Sequence, residues 1–408
     1  MRRFLATTLS AVCLTFTVQA QEAKDIQKEL QTQFIMAEDG DTIRIPAGLY
    51  TSQASISMDE KKHIVVMGAG MDQTIISFKQ QDEGAEGLRF ANCENIIIQD
   101  LTVQDAKGDC IKVMDTKGIS FIRVKAEWTG KPKTSNGAYG LYPVQSERVL
   151  IDECVAIGSS DAGIYVGQSH DIVVRNTEAY HNVAGIEIEN STMADVYNCH
   201  AHHNTGGLLV FDLPNLPKGK GGNVRLYDNL VENNNYKNFA EPGNTVAKIP
   251  PGTGVMVLAT SGVEVFNNQI KGNRTAQMSI VSYHMTETPI TDPKYDPYPK
   301  AIFVHDNTYV AAEKGIKTNS RIGKLLKWKL KLNKDLPEIM YDGILDPEAI
   351  GENGQYKTEY TVCIQEGEGI NVVNLDADNG FKNMNRNATA SFNCEHEALA
   401  APPLSKAN

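Results

Sequence analysis

The chain has 408 residues, of which 22% are charged, and its formal net charge at pH 7 is −11. Nucleic acids and anionic membranes attract basic proteins, so this acidic balance argues against both as partners. It also disfavours a polyanionic sugar as the substrate, because the like charges repel. Such a sugar is not excluded, since a local basic cleft or a bridging cation such as Ca²⁺ could neutralise the repulsion.

Residues 1–20 have the pattern of a secretory signal peptide. Two arginines at positions 2 and 3 precede an apolar stretch over residues 4–18, and Val18-Gln19-Ala20 ends it with a small residue at the expected cleavage point. Beyond this segment no apolar run approaches the roughly 20 residues that a membrane helix requires. We therefore expect a periplasmic or secreted monomer that has no membrane span, and whose net charge becomes −13 once the two arginines are removed.

Residues 21–45 are predicted to form an N-terminal cap. Ile26, Leu30 and Phe34 recur at helical spacing, which indicates an amphipathic helix over residues 22–35. The segment 40–46 then begins the first strand. Such a helix would cover the end of a stack of strands, where unpaired backbone would otherwise be open to other chains.

A short phrase recurs between residues 87 and 282, in which a small residue is followed by an aliphatic residue, any residue and a second aliphatic residue. The glycines that open it at Gly140, Gly163, Gly185 and Gly207 are separated by 23, 22 and 22 residues. A second phrase keeps step with the first, as in residues 171–174. Each repeat therefore holds at least two short strands of period-2 alternation, separated by polar turns.

Neither strand of a repeat can bury its apolar face alone, so successive repeats must stack about 4.8 Å apart. The predicted fold is all-β: a single right-handed parallel β-helix over residues 46–310, with a helical N-terminal cap and an irregular C-terminal cap over residues 311–408. A leucine-rich repeat has a similar period, but it needs leucines at fixed positions and a helical segment in each repeat.

Asparagines in the turns are expected to stack in ladders, because their amides hydrogen-bond along the stack and tolerate turn dihedrals. The expected members are Asn176, Asn198, Asn229, Asn268 and Asn307 after the second strand, and Asn182 and Asn204 before the glycine strand. Four cysteines in core-like segments are interpreted as small buried hydrophobes: Cys93, Cys110, Cys154 and Cys199. Cys363 and Cys394, in the irregular tail, are the candidates for a disulfide.

The coils over residues 160–169 and 184–191 resemble the exported bacterial parallel β-helix repeat proteins of the pectin-lyase-like superfamily. They read Ser-Asp-Ala-Gly-Ile-Tyr-Val-Gly-Gln-Ser and Ala-Gly-Ile-Glu-Ile-Glu-Asn-Ser, and the likeness covers roughly residues 40–310. The resemblance implies the β-helix fold and a polysaccharide substrate, since the superfamily includes pectate and alginate lyases, uronan epimerases and polygalacturonases. The chain departs from it in lacking the Asp-Pro-His-Asp/Glu motif of mannuronan epimerases and the paired aspartates typical of polygalacturonases, which leaves the reaction open.

Alternation sorts the faces of each glycine strand, because the aliphatic residues point inward and the residue between them points outward. Aligned by the repeat, the outward column reads Lys112, Tyr142, Tyr165, Glu187, Leu209, Met256 and Ser279. A parallel column two residues on reads Met114, Val144, Gly167, Glu189, Phe211 and Leu258. Glu187 and Glu189 therefore share a face with their Cα atoms about 6.5 Å apart, and two like charges so close raise the pKa of one of them.

The candidate catalytic residues are Glu187, Glu189, Tyr165, Tyr142 and Asp161. The paired carboxylates suit water attack on a glycosidic bond in an inverting hydrolase, whereas a tyrosine acid or base suits proton abstraction at C5 of a uronic acid in a lyase or epimerase. Asp161 is either a turn former or a third carboxylate. Tyrosine and glutamate are also common on the solvated outside of a β-helix, so a functionless surface is the alternative.

Four insertions interrupt the period, at residues 127–138, 213–222, 234–253 and 285–299. Long loops on a rigid scaffold are often functional, and all four flank the glycine strand, so we expect them to wall a groove. The candidate substrate-binding residues are Lys112, Trp128, Phe211, Lys248, Tyr295 and Tyr298. Lysines would meet uronate carboxylates there, and aromatic rings would stack on sugar faces.

His181 and His203 each lie four residues before a repeat glycine and should stack one coil apart, with His202 adjacent. Such a pair suits metal binding or proton transfer, or serves only as part of the turn. No carboxylate recurs at metal-ligand spacing in the repeat pattern, so we predict no metal site. Two functions stay open: a polysaccharide lyase, C5-epimerase or hydrolase, and a non-catalytic glycan-binding or periplasmic assembly protein.

Overall fold

The computed structural model describes residues 23–332 and 336–406, so the predicted signal peptide lies outside the described residues. The described chain confirms the predicted all-β fold, a parallel β-helix. Each regular coil contains three short strands rather than the minimum of two, as in Ala162–Gly167, His170–Arg175 and Glu178–Tyr180. Every strand pairs in parallel with the equivalent strand of the next coil, which produces three long sheets.

The first sheet holds the glycine strands: Ala54–Asp59, Glu83–Ala91, Ile111–Met114, Tyr139–Val144, Ala162–Gly167, Ala184–Glu189, Gly206–Phe211, Thr253–Leu258, Ala276–Val281, Ile339–Tyr341 and Val372–Asn374. The second sheet holds Thr42–Arg44, Val65–Met67, Glu94–Gln104, Lys117–Glu127, Glu147–Asp152, His170–Arg175, Thr192–Tyr197, Gly222–Tyr227, Ser261–Phe266, Lys300–His305 and Val362–Gln365. The third sheet holds Lys24–Asp25, Gly48–Thr51, Thr74–Ser77, Val155–Ile157, Glu178–Tyr180, His200–His202, Leu230–Glu232, Gln269–Lys271 and Thr308–Val310. Two long strands, Glu94–Gln104 and Lys117–Glu127, bend at Asp100 and Arg123 and run through both the second and the third sheet.

Helical segments are short and lie at the ends or in the insertions. The α-helices are Gln27–Met36, Arg321–Lys324 and Pro403–Lys406, and the π-helical turn is Leu325–Lys329. The 3₁₀ turns are Thr245–Lys248, Tyr283–Thr286, Pro347–Ala349, Thr358–Tyr360 and Thr389–Phe392. No helix of the described residues has the length and apolar character needed to cross a membrane.

The interior is filled by stacked aliphatic side chains. Ile164, Ile186 and Leu208 occupy the same register position on consecutive coils and are at most 1% exposed. Burial of such columns removes apolar surface from water and is the main force that holds the coils together. Because the register is constant, a residue's position within the repeat determines the wall on which it lies.

Two asparagine ladders run inside the turns. One joins Asn182, Asn204, Asn234 and Asn273 through backbone and side-chain hydrogen bonds of 2.9–3.2 Å. The other joins Asn229, Asn268 and Asn307 in the same way. The expectation for Asn176 and Asn198 was wrong by one residue, because both are exposed at positive φ and the inward places belong to Thr177 and Cys199.

Replacing a ladder asparagine is expected to destabilise the fold strongly. Asn204 is fully buried and bonds to three neighbours, so Asn204→Ala should leave buried backbone groups without partners and lower the free energy of unfolding by about 2–4 kcal/mol. Urea denaturation measures this change. The exposed Asn353→Ala is the control, and an equal loss from both would contradict the structural role of the ladder.

The N-terminal cap has the predicted form. The helix Gln27–Met36 buries Leu30 and Phe34, and Ile26 immediately before it is also buried. The strand Lys24–Asp25 already pairs with residues 50–51, so the stacking of strands begins inside the predicted cap.

The stacking of coils also continues past residue 310, where the sequence analysis ended it. Ile339–Tyr341 and Val372–Asn374 extend the first sheet, and Val362–Gln365 extends the second. The connection over residues 311–338 is long and irregular, which hides these strands from any analysis of spacing. Cys363 and Cys394 form the expected disulfide, and Cys93, Cys110, Cys154 and Cys199 are free and buried, as predicted.

The final segment of the described chain returns along the outside of the second sheet. The backbone N–H of Leu399 donates to Glu264 at 2.9 Å, that of Leu404 donates to Asp171 at 2.8 Å, and the Ser405 hydroxyl donates to Asp195 at 2.6 Å. The C-terminal tail is therefore attached to several coils in the middle of the stack.

Candidate functional site

The first sheet carries the candidate site on its outer face. The register places Lys112, Tyr142, Tyr165 and Glu187 on consecutive coils, in the order that the repeat alignment gives. Glu189 lies two residues after Glu187 on the same strand, one coil above Gly167. A bulky residue at 167 would collide with the Tyr165 ring, because a Cβ there would come within 2.2 Å of it.

Glu187, Glu189 and Tyr165 form one hydrogen-bonded group. The Tyr165 hydroxyl donates to Oε1 of Glu189 at 2.5 Å, and the carboxyl groups of Glu187 and Glu189 are hydrogen-bonded to each other. The three residues are only 1%, 6% and 5% exposed. Among the described residues, Oε2 of Glu187 has no hydrogen-bond partner.

Burial controls the ionisation of this group. It raises the pKa of Glu187 well above its usual range, and the neighbouring charge of Glu189 raises it further. Burial also raises the pKa of Glu189 to about 7, although the hydrogen bond from Tyr165 opposes this shift. The pKa of Tyr165 is raised by burial and by the charge of Glu189, so the phenol keeps its proton. Burial thus favours the neutral form of all three residues, most strongly in Glu187 and Tyr165.

Asp161 joins this group as a third acid. It lies just before the strand Ala162–Gly167, is 4% exposed, and accepts a hydrogen bond from Nδ2 of Asn244 at 3.0 Å. Burial raises its pKa to about 7 against the opposing effect of that hydrogen bond, and its charge acts on Glu187 and Glu189. The sequence left Asp161 as either a turn former or a third carboxylate, and its side chain lies buried near the other two acids.

Three tyrosines pack against the acids. The rings of Tyr139, Tyr142 and Tyr165 lie 4.5–5.0 Å apart between centroids. The ammonium group of Lys112 lies 5.0 Å from the centre of the Tyr142 ring and within 4 Å of carboxylate oxygens of Glu86 and Asp109. The site thus combines acids, phenols and one lysine along about four coils.

Two of the four insertions, at residues 234–253 and 285–299, contribute buried side chains to the cover of this face. Phe239, Val246 and Ile249 of the segment 234–253 pack with Leu209 and Phe211 in one apolar cluster. The segment 285–299 adds Tyr295 to the same cluster. Glu187 and Glu189 are therefore enclosed, which contradicts the alternative that they lie on a solvated surface.

The similarity of the chain to known proteins agrees with this architecture. A family described as "Right handed beta helix region" matches residues 62–216 and 123–292, which together span more than half of the chain. The chain belongs to this right-handed β-helix family. Polygalacturonases of Gossypium barbadense and Gossypium hirsutum are each 30% identical over 124 residues, which cover 26% of this chain and 30% of the relative. The match thus spans less than a third of these relatives.

Solved structures resemble this β-helix protein over most of its length. The A-module of mannuronan C-5 epimerase AlgE4 of Azotobacter vinelandii superposes with a TM-score of 0.51 at 15% identity, over 86% of this chain and 93% of that one. The A-module of AlgE6 from the same organism superposes with a TM-score of 0.50 at 18% identity, over 88% and 85%. At such identities the likeness shows the fold alone.

The candidate substrate-binding residues of the β-helix protein differ in their surroundings. Trp128 is 5% exposed in the interior core, and its indole N–H donates to the Ala106 carbonyl at 2.7 Å. Tyr295 is buried in the cover, where its hydroxyl donates to the Asp212 carbonyl at 2.6 Å. The expected stacking of a sugar on Trp128 or Tyr295 is therefore not supported, because both rings are already covered by protein.

Lys248 and Tyr298 lie nearer to the solvent, whereas Phe211 is buried. Lys248 is exposed and bonds to Thr286 and Thr288 of the facing segment, and Tyr298 is half-buried. Phe211 is buried but lines an apolar cavity of 90 Å³ together with Met256, which places it at the upper end of the site.

The sequence analysis did not identify two acids and one tyrosine that lie at the site. Asp212 follows the Phe211 column, and burial raises its pKa to about 6. Asp109 lies three residues before Lys112, and burial raises its pKa to about 6 as well. Tyr139 opens its strand immediately before the repeat glycine. All three lie at strand ends, where period-2 alternation no longer indicates whether a side chain points into the core or outward.

Asn244 is expected to hold the segment 234–253 over the acids. Asn244→Ala removes the hydrogen bond to buried Asp161, and hydrogen–deuterium exchange of residues 234–253 should then become about 5- to 10-fold faster, for a bond worth about 1–1.5 kcal/mol. Exchange of the strand Ile111–Met114 serves as the internal control. Unchanged exchange in the segment would show that its apolar contacts alone hold it closed.

Proposed function

We propose that this protein acts on a uronate-containing polysaccharide as a lyase or C5-epimerase, at the outer face of the first sheet. The observation that carries the proposal is the hydrogen bond from Tyr165 to Glu189 beside buried Glu187. Because the segments 234–253 and 285–299 cover these residues, the proposal requires the segments to move aside when a glycan binds. The names of the similar proteins, polygalacturonase and mannuronan C-5 epimerase, support a uronan as the substrate. Because residues 1–20 have the pattern of a secretory signal peptide, we infer that the protein is periplasmic or secreted.

Glu189 serves as the base in this proposal, since a pKa of about 7 suits proton abstraction near neutral pH. It removes the proton from C5 of the uronate, and the electron pair moves into the carboxylate. In the lyase reaction the C4–O4 bond then breaks, its electrons leave on O4, and Tyr165 donates its proton to that oxygen. Glu189 returns the C5 proton to Tyr165 along their hydrogen bond, which balances the step.

Glu187 has a separate role. Oε2 of Glu187 is unpaired among the described residues, and burial raises the pKa of this carboxyl well above its usual range, which favours the protonated form that can donate a hydrogen bond. When a uronate binds, the single proton of Glu187 turns from Glu189 to the uronate carboxylate as negative charge accumulates there, which also leaves Glu189 a stronger base. A neutral Glu187 also lessens the repulsion that this acidic site exerts on a uronate.

A hydrolase that uses Glu187 and Glu189 as its pair fits less well. Inverting hydrolases separate their carboxyl groups by about 6.5–9.5 Å and retaining ones by about 5–5.5 Å. Here the two carboxyls are hydrogen-bonded to each other, which leaves no room for water or a sugar carbon between them. The expected Cα spacing along the strand did not reveal this, because the side chains converge.

The test is to incubate the purified protein with polygalacturonate, polymannuronate, alginate and neutral glucans. A lyase raises absorbance near 235 nm together with reducing ends, and an epimerase incorporates deuterium from heavy water at C5 without cleaving the chain. Reducing ends without absorbance would instead identify a hydrolase and reject the proposal. Binding without any product would favour the non-catalytic glycan-binding alternative.

A further inference from the structure

The third sheet carries a cluster of histidines and glutamates that the proposed function does not use. On its strands Glu178–Tyr180 and His200–His202, Glu178 pairs directly with His200. Alternation places His202 on the same outer face as His200. The next strand, Leu230–Glu232, adds Glu232 opposite His202. The turn histidines His181 and His203, which the sequence analysis singled out, lie beside this cluster.

Three of these residues converge on one point. Nε2 of His202 lies 2.9 Å from Oε1 of Glu178, and Nδ1 of His200 lies 4.0 Å from the same oxygen. One ligand atom from each of the three residues lies within 4.8 Å of the other two. A tetrahedral ion with bonds of about 2.0–2.1 Å needs ligand atoms about 3.3 Å apart, so small side-chain rotations suffice.

We propose that Glu178, His200 and His202 bind one divalent transition-metal ion with the ligand preferences of Zn²⁺. Two imidazoles and one carboxylate are typical ligands of such ions, whereas Ca²⁺ and Mg²⁺ prefer all-oxygen sites. The sequence analysis predicted no metal site and did not single out this set, because its members belong to the third strand of each coil, which the repeat analysis did not resolve.

Hydrogen bonds with Glu232 and His203 orient the imidazoles of His200 and His202 for metal binding. Nε2 of His200 lies 3.0 Å from Oε1 of Glu232, so a proton on Nε2 leaves Nδ1 free to face Glu178. Nδ1 of His202 lies 2.7 Å from Nδ1 of His203, and a proton shared there leaves Nε2 of His202 free. Hydrogen bonds of this kind to the second ring nitrogen are the usual support of metal-bound histidines.

The surroundings favour a preformed and accessible site. The ligands lie on paired strands of adjacent coils, so their backbone is rigid. The His202 ring stacks on Tyr180 with centroids 5.0 Å apart. The side chains of Glu178, His200 and His202 are 44%, 35% and 15% exposed, which leaves room for water at a fourth position. Lys271, 3.4 Å from Glu232, neutralises part of the charge there.

The experiment measures metal binding by the full-length protein, independently of any activity on glycans. Protein dialysed against a chelator is titrated with Zn²⁺ in competition with a chromophoric chelator, and with Co²⁺ as a spectroscopic probe of four-coordinate geometry. We expect one equivalent of tight Zn²⁺ that excess Ca²⁺ and Mg²⁺ do not displace. His202→Ala should weaken it at least 100-fold, and Glu232→Gln should weaken it about 10- to 100-fold.

The exposed His170→Ala, on the second sheet, is the matched control and should retain the full affinity. Glu178→Gln tests the carboxylate with minimal change of shape, and circular dichroism confirms that each variant is folded. Failure of the wild type to bind one equivalent at micromolar Zn²⁺ would overturn the proposal. So would a folded His202→Ala variant that binds as tightly as the wild type, since the ion would then bind elsewhere.

Discussion

Glu189→Gln is expected to lower kcat for uronan turnover by about 10²- to 10⁴-fold, while the protein still folds and still binds glycan. An amide at this position keeps the hydrogen bond with Tyr165 but cannot accept the C5 proton. Tyr165→Phe should cause a loss of similar size. The double variant should be little worse than either single variant, because two groups that act as a unit are not additive. Initial rates followed at 235 nm, or by deuterium incorporation, measure these effects.

Glu264→Gln is the matched control for this series. Glu264 is also a buried, outward-facing glutamate, at 3% exposure, but it lies on the second sheet and bonds to His305 and the C-terminal tail. Its substitution should leave kcat within about 2-fold. Full activity of Glu189→Gln on a substrate that the wild type converts would remove Glu189 from the mechanism, whichever reaction is found.

Raising the pH from 4.5 to 8 is expected to destabilise the wild-type protein more than the Glu187→Gln variant. A carboxyl whose folded-state pKa exceeds its unfolded value contributes stability that is complete below the unfolded pKa and is lost as pH rises through the folded pKa. Burial gives Glu189 and Asp161 folded pKa values of about 7, against 4.5 and 3.8 in an unperturbed chain, and raises that of Glu187 further. The window of loss therefore runs from about pH 4 to above pH 7.

Glu187→Gln removes the acid whose pKa is raised most. It also removes the repulsion between Glu187 and Glu189 when both are ionised. The difference in unfolding free energy between wild type and variant should grow steadily across this window, because the variant lacks the acid whose pKa burial raises most. Urea denaturation at several pH values measures it, and other buried acids such as Asp342 cancel in the comparison. The exposed Glu147→Gln should follow the wild type. Parallel curves for wild type and Glu187→Gln would mean that Glu187 is not held protonated.

The sequence predicted the wall on which each residue lies better than it predicted what covers that wall. A 22-residue period fixes the register of Tyr165, Glu187 and Glu189, because every parallel coil repeats the same geometry. The contacts of Trp128 and Tyr295 depend instead on the path of irregular insertions. Those insertions have no period, so neither their direction nor the burial of these rings can be derived from spacing.

The third strand of each coil escaped detection for a related reason. It is only three residues long, as in Glu178–Tyr180 and His200–His202, and one small inward alanine carries its whole apolar pattern. Glu-Ala-Tyr and His-Ala-His recur 22 residues apart, and this signal was present in the sequence. Recognising it required the knowledge that a coil has three walls.

The C-terminal tail affects how the protein is expected to unfold. A stack of coils in which each contacts only its neighbours can fray from either end, one coil at a time. The tail joins Asp171, Asp195 and Glu264 directly to the last residues of the described chain, so detachment of the final coils also removes hydrogen bonds from the centre. Loss of either region weakens the other, and the protein is expected to unfold in one cooperative transition rather than by gradual unwinding.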